Sequence, residues 1–216
     1  MPPPTPRRLA ALKTALFLLC LVPLAAYIHG AATDNLGANP IEAVTRGLGE
    51  WTLRFLLLTL AVTPLRRLSG LAWLLRFRRM LGLYTFFYAC LHVLSYVWLD
   101  QFFDWGEILR DIVKRPFITV GFASFLLLIP LAVTSSNAMI RRLGGRLWQR
   151  LHRAVYAIAL FGVLHFWWMV KRDVTEPAIY ATLLAILLGM RVVWRLRRDD
   201  RAAAKTTSGA AASARS

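Results

Sequence analysis

Cysteine is scarce in this chain of 216 residues, and the two present, Cys20 and Cys90, stand far apart inside apolar runs. They have neither a CxxC spacing nor a soluble setting for a bridge. That excludes a disulfide framework and leaves both as small buried apolar residues. Acidic residues are also few, 11 against 27 Lys and Arg, for a formal net charge of +16. Such an excess can mark a nucleic-acid partner. Here, however, the basic residues fall almost entirely in short clusters between apolar blocks, a topological placement from which no nucleic-acid partner follows. Lysine itself is limited to Lys13, Lys114, Lys171 and Lys205, which we read as GC-rich codon bias without mechanistic content. The chain shows no internal repeat and no soluble stretch large enough for a nucleotide-binding fold.

Long apolar blocks are what the sequence has instead: 57% of residues are hydrophobic, and they are not interleaved with polar positions as in a soluble helix. The solvent is therefore lipid. Ala15 to Ala32, Met80 to Leu99, Pro116 to Ile140 and Ala154 to Val170 carry no Asp, Glu, Lys or Arg, and each reads as a transmembrane helix. Trp51 to Leu65, which contains Arg54, and Pro177 to Met190, which stops at Arg191, need flanking residues to complete two more. The predicted fold is all-α, a polytopic membrane bundle of about six transmembrane helices. The basic start and apolar run of MPPPTPRRLAALKTALFLLCLVPLAA imitate a signal peptide, but with further spans to follow they predict an uncleaved first helix.

One set of connections, with both termini, collects 20 of the 27 basic residues. The positive-inside rule then places both termini in the cytoplasm of a bacterial inner membrane. Residues 1–14 form a cytoplasmic start, 15–197 the membrane domain, and 198–216 a tail of Ala, Ser and Thr expected to be disordered.

Four histidines occur: His29, His92, His152 and His165. A histidine in the bilayer is costly unless paired or ligated, so each intramembrane one is a candidate for function. His92 lies about 18 Å into its helix from Met80, and His165 about 18 Å into its own from Arg153, at 1.5 Å per residue. Two histidines at equal depth on different helices can clamp one flat ligand, the arrangement that bis-histidine haem needs. His152 lies 13 residues before His165, near the cytoplasmic interface, where it is placed for a second, inner haem. No other histidine stands at that depth, and His29, near the far end of the first helix, reads as a surface or packing residue.

What does stand at the inner depth is Arg78, about 40° off the face of His92 at 100° per residue. It is an unusual axial ligand, a cation for haem propionates, or a positive-inside anchor beside Arg76 and Arg79. A spacing of 13 would put His152 and His165 about 140° apart on one ideal helix, so the helix is distorted near Gly162 or the two face different gaps. The aromatics Phe86, Phe87, Phe161, Phe166, Trp167 and Trp168 offer either a low-dielectric shell for such a site or ordinary packing and interface belt.

RRMLGLYTFFYACLHVLSY, KRPFITVGFASFLLLIPLAVTS and RRLGGRLWQRLHRAVYAIALFGVLHFWW closely resemble the MsrQ family, also called YedZ. These are haem-binding membrane subunits of a bacterial protein-methionine-sulfoxide reductase system. The wider superfamily is similar to the membrane domains of ferric reductases and NADPH oxidases, which place two histidine pairs on two helices. This chain matches three of those positions, as His92, His152 and His165, and has Arg78 at the fourth.

The resemblance implies an electron-transfer subunit that is not itself the enzyme. It would hold one or two b-type haems and take electrons from a cytoplasmic flavin reductase or quinol. A periplasmic molybdenum-containing partner, which reduces methionine sulfoxide in envelope proteins, would receive them. The resemblance also implies FMN. The chain has no flavin motif, only a basic turn with Gly144 and Gly145 among Arg141, Arg142 and Arg146, which reads more simply as a loop. Partner contact is expected on the outer loops with Asp100, Asp104, Glu107 and Asp111. Two other readings stand beside this one. A stand-alone reductase of ferric iron or oxygen would need a flavin and nicotinamide domain, and a histidine-relay transporter would need several acids inside the spans.

Overall fold

The computed structural model describes residues 4–170 and 172–213, and the side chains among them as far as Arg198. Proline opens three long helices, α1 (Pro6–Ala32), α2 (Pro40–Ser69) and α5 (Pro116–Val133). At that position its missing N–H would have had no partner, and its fixed φ suits the first turn. Between α2 and α5, α3 (Leu75–Ser95) is entered through a 3-10 turn, Ala72–Leu74, and leaves through a π turn, Tyr96–Asp100. The short α4 (Trp105–Lys114) follows, capped by Asp104, whose side chain accepts from the Glu107 amide at 3.0 Å. Next come α6 (Asn137–Leu143), α7 (Gly145–His152), α8 (Ala154–Met169) and α9 (Thr175–Ser213). There is no strand among the described residues.

By length and composition α1, α2, α3 with its flanking turns, α5 and α9 as far as Arg198 can cross a membrane. The apolar α8 has 16 residues, about 24 Å at 1.5 Å each, and completes a multi-pass bundle of roughly six helices. Contacts tie the basic connections together at one end of the bundle, hereafter the basic end. Arg79 donates to Asn137 at 2.9 Å, and the Arg67 guanidinium lies 4.8 Å over the ring of Trp194.

Three boundaries differ from the sequence expectation. The run from Pro116 to Ile140 is not one span, because the Thr134 and Ser135 hydroxyls turn back to the Pro130 and Leu131 carbonyls and α5 ends at Val133. His152 and His165 do not share one regular helix. The Arg153 amide is divided between the Gln149 and Arg150 carbonyls, both at 3.2 Å, a 3-10-like tightening that separates α7 from α8 there and not near Gly162. Finally, α9 continues to Ser213 through a stretch expected to be disordered; alanine, frequent there, has the highest helix propensity of any residue.

α2 is the hub of the core. Leu48, Phe55 and Val62, spaced by seven, face a cluster with Cys20 of α1 and Leu81, Tyr84 and Tyr88 of α3. Leu53, Leu56, Leu57 and Leu60 face the other way, into a cluster with Ala89, Leu128, Ile158, Val163 and Leu184.

Several polar groups in these spans find internal partners, as lipid requires, whereas the buried hydroxyls of Thr45 on α2 and Ser124 on α5 have none. Pro23 interrupts α1, and the Tyr88 hydroxyl enters beside it. It donates to the Cys20 carbonyl at 2.8 Å and accepts from the Leu24 amide at 3.2 Å, two groups that an undisturbed helix would bond to each other. Arg54, the charge that weakened the second span on paper, pairs with Glu50 at 2.8 Å and donates Nε to the Tyr180 hydroxyl at 2.8 Å. On α9, Arg191 donates to the Leu187 carbonyl at 2.7 Å and also to that of Leu60. The Leu60 carbonyl is free because its usual helical donor would be the amide of Pro64, which has no N–H.

Candidate functional site

The structure brings His92 of α3 and His165 of α8 together inside the bundle, with ring centres 6.2 Å apart and ring planes at 73°. Each ring is held by its Nδ1: that of His92 lies 2.8 Å from the Thr45 carbonyl on α2, that of His165 2.6 Å from the Phe117 carbonyl on α5. A carbonyl oxygen only accepts, so Nδ1 carries the proton in both rings and each Nε2 keeps its lone pair. This is the orientation in which a histidine binds a metal ion while its other nitrogen is fixed by a backbone carbonyl.

Two imidazoles placing a nitrogen about 2 Å from one metal ion, from opposite sides, have ring centres about 6 Å apart. The observed separation meets that condition. Space for a flat ligand lies on both sides of the pair. Toward the basic end is a cavity of about 750 Å³, counting its open mouth, with apolar walls that include Leu53, Leu56, Ala89, Phe125 and Phe166, and with Arg46 and Glu50 also lining it. On the other side, about 860 Å³, again counting an open mouth, is lined by Tyr96, Ile108, Phe117, Phe122 and Arg115. Both histidines line both cavities. The donor set and the space beside it fit a haem, which His92 and His165 would hold. Arg46 and Arg115, which line these cavities, are ion-paired with Glu42 at 2.6 Å and with Asp111 at 2.9 Å, and would have to share those partners to meet its carboxylates.

A third cavity, of about 1000 Å³ counting its open mouth, lies closer to the basic end and is lined by Arg78, Arg79, Thr85, Phe86, Trp148 and His152. Leu56 and Leu128 line this cavity and the 750 Å³ one, so the two follow each other along the bundle. Arg78 and His152 thus share one cavity, as their depths predict. Among the described residues Arg78 forms no ion pair.

His152 is set up differently from the outer pair. Its ring stacks on Trp148 with centres 4.0 Å apart, and its Nε2 lies 3.0 Å from the Thr134 hydroxyl. That hydroxyl gives its one proton to the Pro130 carbonyl at 2.6 Å, so toward His152 it accepts, and Nε2 bears the proton. Ligation through Nε2 would require the Thr134 contact to be given up.

The remaining candidates are dispersed. His29 is exposed at the end of α1, and the basic turn of Arg141, Arg142, Gly144, Gly145 and Arg146 is exposed throughout. Of the aromatics, Phe166 lines the outer cavity and Phe86 the inner one, whereas Phe87, Trp167 and Trp168 are exposed on the bundle surface. Asp111 does not point outward: it is 4% exposed, accepts from the Tyr96 hydroxyl at 3.1 Å and pairs with Arg115 at 2.9 Å. Sequence reasoning missed Thr45 and Phe117, which act through their backbones and leave no side-chain signal. It also missed Trp148, whose position four residues before His152 was a usable sign of stacking.

Residues 48–163 match the family described as ferric reductase like transmembrane component. Several curated proteins named protein-methionine-sulfoxide reductase heme-binding subunit MsrQ are similar over nearly the whole chain. That from Azospira oryzae is 65% identical over 195 residues, 90% of this chain and 84% of the relative. That from Herminiimonas arsenicoxydans is 55% identical and covers 92% of each. That from Rhodospirillum rubrum is 58% identical over 86% of this chain and 89% of the relative.

Proposed function

The chain belongs to the MsrQ family of haem-binding subunits of protein-methionine-sulfoxide reductase, and from that premise we propose that it carries electrons across the membrane through haem b held by its intramembrane histidines. His92 and His165 would hold the iron of an outer haem. His152 and Arg78 belong to an inner site, with His152 as ligand and Arg78 as second ligand or propionate partner. The observation that carries this reading is the close pair of imidazoles, ring centres 6.2 Å apart, each with Nδ1 tied to a backbone carbonyl and each lining the same two cavities.

Haem supplies a one-electron couple whose potential follows its ligands and surroundings; the rest of the work falls to the protein. The carbonyls of Thr45 and Phe117 hold the rings in one tautomer and raise their basicity as ligands. The apolar walls from Leu53, Ala89, Phe125 and Phe166 keep water from the metal and disfavour the more charged oxidised state, which raises the potential. Arginine at the basic end gives an anionic donor a favourable approach.

The chain lies in a bacterial inner membrane with both termini cytoplasmic. Electrons enter from a flavin reductase or quinol at the basic end and leave to a periplasmic molybdopterin-containing, MsrP-like subunit, which carries the catalytic site for envelope protein repair. FMN belongs to the donor side of this scheme. A histidine-relay transporter is disfavoured because the two acids of α2, Glu42 and Glu50, are already ion-paired with Arg46 and Arg54.

The test uses vesicles loaded with ferricyanide and supplied outside with reduced FMN. The wild-type protein should bleach the enclosed ferricyanide and His165→Ala should not. A haem-loaded wild type that leaves it unbleached would overturn the proposal.

A further inference from the structure

Each imidazole of the outer pair meets a neighbouring helix in the same way. His92 bonds the Thr45 carbonyl and lies against Gly49, four residues on; His165 bonds the Phe117 carbonyl and lies against Gly121, again four residues on. In an α-helix the carbonyl of residue i already accepts the amide of residue i+4, and a bond to a histidine uses its second lone pair. A side chain at i+4 leans back over the preceding turn and covers that carbonyl. A Cβ on Gly121 would stand 2.6 Å from His165 Nδ1 and 2.8 Å from its Cε1; one on Gly49 would stand 3.0 Å from His92 Cε1 and 3.2 Å from its Nδ1. Glycine is, after proline, the residue that helix propensity favours least in a helix interior. Its presence at both equivalent places therefore calls for a local reason, and the close approach of the rings supplies one.

We propose that Gly49 and Gly121 are positioning residues for the haem site: by leaving the Thr45 and Phe117 carbonyls uncovered, they set the tilt and rotation of the two ligand rings. The proposal rests on the reading that His92 and His165 hold haem. The device occurs twice, once where α2 packs on α3 and once where α5 packs on α8, and the two copies differ in tightness. At Gly121 an added methyl group meets the ring at a distance that real contacts do not reach, so the imidazole must leave its carbonyl. At Gly49 the overlap is smaller and the ring yields by a few tenths of an ångström. The 73° between the ring planes is the quantity that such a shift alters, and the ferric low-spin EPR spectrum reads the mutual orientation of axial imidazoles.

The experiment compares wild type, Gly49→Ala, Gly121→Ala and Gly189→Ala, the last a helical glycine with nothing within 4 Å of an added Cβ. Each purified protein is measured for haem per chain, EPR spectrum and midpoint potential. Gly121→Ala should lose most of the outer haem or show a displaced low-spin signal. Gly49→Ala should keep its haem with a smaller displacement, and Gly189→Ala should match wild type.

To separate positioning from misfolding, Gly121→Ala is also placed in a His165→Gly background supplied with free imidazole. An untethered ligand can turn away from the added methyl group, so Gly121→Ala should make no further difference there. Loss of haem in that background as well would mean general damage and overturn the proposal. A Gly121→Ala protein indistinguishable from haem-loaded wild type would overturn it too, leaving the haem reading intact. A wild type that binds no haem would overturn both.

Discussion

Arg191 sits in a membrane helix without an acidic partner among the described residues, and its replacement by leucine has a calculable consequence. Its guanidinium donates to the Leu60 carbonyl, which Pro64 leaves without a helical donor, and to the Leu187 carbonyl at 2.7 Å. Hydrogen bonds from charged groups contribute about 1.5–3 kcal/mol, and a buried acceptor left unpaired costs about 1–3 kcal/mol. Polar contacts between membrane helices run lower, about 0.6 kcal/mol on average and up to about 1.7 kcal/mol. The two ranges meet near 1–2 kcal/mol, or roughly 2–8 °C in Tm for a chain of this size. Thermal unfolding in detergent, followed by a thiol-reactive dye at the buried Cys20, measures it.

The decisive comparison is the same substitution in a Pro64→Ala background, where the new amide can pair with Leu60. The cost of Arg191→Leu should then shrink by about 1 kcal/mol, a coupling typical of residues that share a partner. Equal costs in the two backgrounds would refute the role assigned to the proline-freed carbonyl.

Removing the Tyr88 hydroxyl with phenylalanine should loosen α1, because both of its bonds go to α1 backbone; a loss of about 1–2 kcal/mol and faster proteolysis of the α1–α2 connection are expected. Arg54→Leu leaves Glu50 without its ion-pair partner. With side chains 33% and 26% exposed, the cost should be about 1–2 kcal/mol, below that of a fully buried pair, and Glu50→Gln in the same chain should recover part of it. Thr134→Val frees His152 Nε2 from its hydroxyl partner. It should therefore change the spectrum of the inner haem while leaving that of the outer one as it was; a change confined to the outer haem would contradict the assignment of His152.

Much of the bundle was legible because lipid imposes a simple rule: uncharged runs long enough to span are helices. Counting residues from Met80 and from Arg153 placed His92 and His165 at equal depth, and the structure has their ring centres 6.2 Å apart. Helical periodicity likewise put Arg78 near the face of His92 but deeper, where it shares a cavity with His152. The break between α7 and α8 was not legible, since Arg153 is neither proline nor glycine and the local 3-10 bonding depends on the surrounding packing. Nor was the placement of Arg191 within α9, because its counterpart is a backbone carbonyl on another helix. Glu50 and Arg54 did carry a sign, the spacing of four that lets opposite charges meet on one helix face. Asp111 was misread as a surface acid because sequence does not show that Tyr96 and Arg115 close over it.

The most direct measurement is the dithionite-reduced minus oxidised absorption spectrum of the purified protein, with haem counted per chain, in wild type and in His92→Ala, His165→Ala, His152→Ala and Arg78→Ala. The account predicts a b-type spectrum whose outer component disappears with either His92 or His165 and whose inner component changes with His152 or Arg78. Full haem content and an unaltered spectrum in both His92→Ala and His165→Ala would contradict it.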